Sequence, residues 1–135
     1  MLELMVVVII VGVIAGLSIP SFQRNMERTV ERTAADNLNI LWAAIRLKAA
    51  QEGAMPTTAY WGADDINPAF NVYLIEDPDY ISSYRCGVDI PTGAYDCDAV
   101  STFGWILHVM ENHESEKAHC SAGPQCPTCQ PYCPF

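Results

Sequence analysis

ELMVVVIIVGVIAGLSIP, residues 3–20, opens on one acid, Glu3, and continues as Val, Ile, Leu and Met with no further charge. The uncharged run extends from Leu4 to Phe22, close to the roughly 20 residues that a helix needs to cross a bilayer. Beyond about residue 23 the composition is that of an ordinary soluble protein. A cleavable secretory signal fits poorly. Such peptides begin with basic residues and carry a shorter apolar stretch, whereas the first base here is Arg24. What remains is a membrane-anchored domain, a secretory precursor, or a filament subunit with an apolar stalk.

Working outward, Pro20 interrupts a pattern that is otherwise helical to about Glu52. A proline inside a helix removes a hydrogen bond and bends the axis. The echo Glu27-Arg28-Thr29-Val30 and Glu31-Arg32-Thr33-Ala34 stacks Glu27 over Glu31, with Arg24, Arg28 and Arg32 on a neighbouring stripe. These stripes suit a solvated face or complementary stripes on neighbouring subunits. Ala35, Leu38, Trp42, Ile45 and Ala49 then recur at helical spacing, with Leu41 beside them. Leu38, Trp42 and Ile45 are expected to pack on the rest of the chain, with Asp36, Asn37, Asn39, Arg46 and Lys48 pointing elsewhere. Gly53 is a typical helix stop. A helix of some 50 residues is about 75 Å long, more than a small head can cover. The expected division is an apolar transmembrane or filament-core helix over 1–24, an amphipathic helix over 25–52 and a globular head over 53–135.

The head reads as a loop with a short helical turn around Asp64-Asp65-Ile66-Asn67, where an aspartate is a suitable cap. Short strands are expected at Val72–Ile75, Ile81–Cys86, Ala94–Val100 and Phe103–Met110. The tail from Cys120 holds four cysteines and four prolines in sixteen residues and reads as a disulfide-pinned surface loop. Charge is divided as sharply as hydrophobicity. Residues 53–135 carry eleven acids against Arg85 and Lys117, which accounts for the whole net charge of −9. A surface this acidic repels phosphate backbones, so the isolated head is not expected to bind nucleic acid. Cys86, Cys97, Cys120, Cys126, Cys129 and Cys133 all lie in this half, and their even number suggests three disulfides in an oxidising compartment. Cys86 and Cys97 flank a turn containing Pro and Gly, so they are expected to pair across a hairpin, with the other four pairing among themselves.

The segment Glu3–Pro20 resembles the N-terminus of type IV pilins and the related pseudopilins. In that family a glutamate near the mature N-terminus precedes an uncharged Val/Ile/Leu/Met run interrupted by a glycine and a proline, and Glu3, Gly12 and Pro20 match in order and spacing. The resemblance covers about the first fifth of the chain. It implies an α+β, pilin-like fold, with a long N-terminal helix packed against a small antiparallel sheet and a disulfide-rich C-terminal loop. It also implies a helical filament of identical subunits outside the cell, with the precursor held in the inner membrane and handled by a prepilin peptidase and pilus assembly machinery. Adhesion, motility or cell contact are the roles expected of such a fibre. Each matching residue lies two positions earlier than in the family, as expected of a processed chain lacking its leader and two further residues. Glu3 is implied to pair with the N-terminal amine of an adjacent subunit, and Gly12, Gly16 and Pro20 to mark a stretch that unwinds on assembly. Gly12 and Gly16 also form a GxxxG pair, which lets helices approach closely. The alternatives are a pseudopilin of a type II-like secretion system and an anchored extracellular binding domain that never polymerises.

No catalytic set is legible, and no cofactor or metal is expected. His108, His113 and His119 lie near acids, and the spacing from Cys120 to Cys133 approaches that of zinc ligands, but disulfides are the expectation for these cysteines. Cys126-Pro127-Thr128-Cys129 lacks the strand–helix setting of a redox CxxC. Asp77/Asp79 and Asp96/Asp98 are spaced to hold calcium with loop carbonyls, and are expected instead to be solvated turn acids.

Overall fold

The computed structural model describes residues 2–111 and 117–122, without the side chains of 2, 17–21, 23–24 and 121–122. Helix α1 runs from Leu2 to Glu52. It is followed by β1 (Tyr60–Trp61), α2 (Ala63–Phe70), β2 (Ile81–Val88), β3 (Tyr95–Ser101), β4 (Ile106–Met110) and β5 (His119–Ala122). The five strands form one antiparallel meander in the order β1-β2-β3-β4-β5.

This overturns the expected fold class of a long pilin-like helix on a small sheet with a disulfide-rich C-terminal loop. Among the described residues the sheet has five strands, with a second helix beside it. Nor is α1 a single packing unit. The fourteen residues from Glu3 to Gly16 stand exposed, and the helical stretch that lies on the sheet is 25–52. The physical reason is the change of pattern along the helix. Residues 4–11 are apolar on every side, whereas from Ala34 onward apolar residues occupy one stripe. A sheet face can bury only a stripe.

That stripe is buried as its spacing predicts. Ala34, Leu38, Leu41, Trp42 and Ile45 pack with Tyr84, Cys86, Cys97, Ala99, Leu107 and Val109 of the sheet and with Ile66 and Phe70 of α2. Two polar residues assigned to the far side of α1 are instead ties to the head. Asn37 Nδ2 donates to the Tyr84 hydroxyl at 3.1 Å, and Asn39 Oδ1 accepts from the Ala118 backbone N–H at 3.0 Å. Lys48 also turns inward, donating to the Ala69 carbonyl at 3.0 Å and lying 5.2 Å from the centre of the Phe70 ring. The helix stops where expected: Gly53 takes φ 79°, the left-handed region open to glycine, and its N–H reaches the Ala49 carbonyl at 2.8 Å.

Three local expectations are corrected. Val72–Ile75 is not a strand, because the Asn67 side chain takes both backbone groups of Leu74: Oδ1 accepts from its N–H at 2.7 Å and Nδ2 donates to its carbonyl at 2.9 Å. The helical turn around Asp64 is a full helix, Ala63–Phe70, whose N-cap is Gly62 and not an aspartate. Glu76 supplies the cap from a distance, with Oε1 accepting from the Ala63 N–H at 2.9 Å and from the Tyr84 N–H at 3.1 Å. The start of the tail is also ordered, since His119–Ala122 forms β5 against β4.

Cys86 and Cys97 face each other in the β2–β3 register and are joined by a disulfide, with Cα atoms 4.1 Å apart. Cys120 is disulfide-bonded as well, and Cys126, Cys129 and Cys133 lie outside the described residues. Among the described residues no cysteine is free. The 86–97 bridge closes a loop with a sequence separation of 11, for which chain entropy suggests a stabilisation of about 3 kcal/mol. Replacing both cysteines by alanine should lower the free energy of unfolding by about that amount, measured by chemical denaturation. A loss well under 1 kcal/mol would mean that the hairpin is held by its ladder alone.

Candidate functional site

Two regions lie at opposite extremes of polarity. The first is the N-terminal stretch of α1. Leu4, Met5, Val6, Val7, Val8, Ile9, Ile10, Val11 and Val13 are each between 46% and 72% exposed, on all sides of the helix. Glu3 sits in the first turn, where a carboxylate is favoured by the unsatisfied N–H groups. A Cβ added at Gly12 or at Gly16 would meet nothing within 4 Å, so no contact within the chain requires a glycine at either position. The backbone at Pro20 is helical, and its side chain lies outside what is described. Among the described residues no helix is long and apolar enough to cross a membrane.

The second region is on the sheet face away from α1. Strand alternation sends Tyr95, Cys97, Leu107 and Val109 into the core and turns Asp96, Asp98 and His108 to the other face. Cross-strand register then lines up one residue from every strand: Trp61 opposite Arg85, Arg85 opposite Asp98, Asp98 opposite His108, and His108 opposite His119. Asp98 is the centre of this row. Its Oδ2 accepts from Arg85 Nε and Nη2, each at 2.8 Å, and its Oδ1 accepts from His108 Nδ1 at 2.6 Å. The His108 and His119 rings meet edge to face with centroids 5.5 Å apart. Asp96, two residues before Asp98 on the same face, brings a carboxylate oxygen to 3.8 Å from His108 Nδ1.

The electrostatics separate the two aspartates. Burial pushes the Asp98 carboxyl up, but the hydrogen bonds from His108 and Arg85 outweigh it and hold the group below its ordinary range. Burial also pushes Asp96 up, and the neighbouring Asp98 charge adds to the rise. The His108 imidazole is raised, chiefly by its hydrogen bond to Asp98 and against the effect of burial. The row is therefore charge-paired through Asp98, and Asp96 is the carboxylate it leaves under-compensated. Beside the row lies a cavity of about 340 Å³ lined by Trp61, Arg85, Ile90, Asp96 and Asp98 among others.

The structure thus brings together residues that the sequence leaves apart. Asp96 and Asp98, read as solvated turn acids although they fall in the expected strand Ala94–Val100, lie on β3, with Asp98 buried and Asp96 half-buried. Asp77 does hold a turn, with its Oδ1 accepting from the Asp79 N–H at 3.0 Å. His108 and His119 meet, and His113 lies outside the described residues. Arg85 was the residue missed. Its signal was available as one of two bases in a strongly acidic head, but its partner depends on strand register. No family model, no curated protein and no solved structure matches this chain.

Proposed function

We propose that the chain is a structural subunit of an extracellular type IV pilus-like filament, polymerising through residues 1–24 of its N-terminal helix. The observation that carries this reading is the apolar stretch Leu4–Val13, exposed on all sides of α1. Burying a Val, Leu or Ile side chain is worth about 1.5–3 kcal/mol. Nine such exposed groups therefore represent on the order of 10 kcal/mol or more of unrealised burial. Sibling helices satisfy that demand along the whole stretch. The resemblance of Glu3, Gly12 and Pro20 to the pilin N-terminus supports the same occupant, and the open space around Gly12 and Gly16 suits close helix approach. The disulfides at Cys86–Cys97 and Cys120 accord with an oxidising environment outside the cytoplasm.

Glu3 has a defined task in this arrangement. A carboxylate among apolar stalks is costly without a cation, and the amine of a neighbouring subunit's N-terminus is the nearest available kind. Glu3→Gln keeps the size and removes the charge. It should leave the head folded and reduce the ratio of sheared surface fibre to cell-bound subunit by roughly tenfold or more. Electron microscopy of the purified wild-type chain tests the reading as a whole. Helical filaments are expected, and dispersed monomers in detergent would favour an anchored domain that never polymerises. Wild-type fibre yield from Glu3→Gln would leave hydrophobic stalk packing alone to set the register.

A further inference from the structure

We propose that Asp96, Asp98 and His108 form a binding site for a zinc-type divalent cation on the open face of the sheet. One ligand atom from each residue lies within 4.8 Å of the other two, so three donors converge on a single small volume. The convergence is a product of the ladder. Asp96 and Asp98 share a face by their two-residue spacing, and His108 is the register partner of Asp98.

The state of Asp96 indicates that the cluster is more than an internal ion pair. Its side chain is only 20% exposed, yet among the described residues it makes no hydrogen bond, and His108 Nδ1 at 3.8 Å is the charged partner it approaches. A half-buried carboxylate that faces the cavity without a hydrogen bond is free to take a cation as its partner. Arg85 does not meet that need, because both of its contacts go to Asp98 Oδ2. They hold that carboxylate by Oδ2 and leave Oδ1 to His108. Ligating carboxylates are commonly oriented in this way by a second hydrogen bond. The cation takes the place of the proton shared between Oδ1 and Nδ1, and Asp96 closes the third side.

The donor set selects the class of ion. One imidazole with two carboxylates suits zinc and neighbouring first-row metals, whereas calcium requires six to eight oxygen ligands. Three protein ligands leave a fourth position on a tetrahedral ion. Asp96 and Asp98 both line the 340 Å³ cavity, so that position faces a space where water or a donor group of another molecule fits. The site is independent of the filament reading and holds for the monomeric chain.

Full-length protein titrated with Zn²⁺ against a chromogenic chelator tests this, with Ca²⁺ in parallel and the absorption spectrum of bound Co²⁺ as a second readout. One equivalent of Zn²⁺ should bind in preference to Ca²⁺. Asp96→Asn keeps the shape of a residue whose side chain makes no hydrogen bond among the described residues, so it should fold normally and weaken zinc by roughly 100-fold. Arg85→Gln, which acts through Asp98, should weaken it by roughly tenfold. Equal zinc affinity in wild type and Asp96→Asn would overturn the proposal, since the metal would then sit elsewhere. So would a wild-type chain that takes up no zinc, or Co²⁺ bound without any change in its spectrum between the two proteins.

Discussion

Removal of residues 1–24 is expected to abolish assembly altogether while leaving a folded, monomeric head. The argument rests on where the two halves of α1 make their contacts. The side chains from Glu3 to Gly16 are exposed throughout. Leu38, Trp42 and Ile45, which lie in the hydrophobic core with strands β2, β3 and β4, are all retained. Among the described residues the deletion therefore removes none of the buried core, and it takes away the surface on which subunits would associate. Circular dichroism should show a cooperative thermal transition, gel filtration a monomer, and electron microscopy no fibres at any concentration that supports them in the full chain. An unfolded or aggregated product would mean that the N-terminal half supports the head directly.

The second large effect is expected at Leu38. Its side chain is fully buried between α1 and the sheet, and Leu→Ala at such a site costs about 2–5 kcal/mol through lost transfer energy and the cavity left behind. A domain of this size has a total stability of only about 5–15 kcal/mol, so the variant should be close to unfolding at physiological temperature. Ile40 is the internal control. It lies two positions further on and is 60% exposed, so Ile40→Ala should fall within about 0.5 kcal/mol of wild type. Denaturant midpoints measured for both variants locate the packed stripe of the helix. Similar losses for the two would mean that α1 is not seated on the sheet in this register.

Much of this molecule was legible from local pattern. The packed stripe follows from a period of 3.6 and the helix stop from Gly53. The Cys86–Cys97 bridge follows from two cysteines flanking a turn, in which Gly93 takes φ 70°. Each of these is decided within a few residues or by one tight turn. β1 was not legible, because two residues carry no readable alternation. Nor was the loop over Val72–Ile75, where apolar β-branched residues suggest a strand but the Asn67 amide captures the backbone of Leu74. The extent of the sheet was underestimated for the same reason. Its outermost strands are short, and they pair because their neighbours offer an open edge.

The polar row shows most clearly where sequence reasoning stops. Alternation counted from the buried Ile81 would turn Ser83 and Arg85 into the core. A register irregularity between Ile81 and Ser83 shifts the phase, so that Tyr84 and Cys86 are buried and Arg85 faces outward. A second irregularity between Ile106 and Leu107 sets how β5 meets β4, and with it the approach of His119 to His108. The sequence alone determined the apolar run with its lone Glu3, the amphipathic continuation of the helix, the acidic head and the pairing of the first two cysteines. These depend on composition and on spacing along the chain. The tertiary structure alone decided that Arg85, Asp98, His108 and His119 share a row, that Asp96 stands beside it with a carboxylate oxygen 3.8 Å from His108 Nδ1, and that Glu76 caps a helix thirteen residues before it. Those outcomes depend on strand register and long-range contacts, and a one-residue slip, invisible in the sequence, reverses which face each side chain occupies.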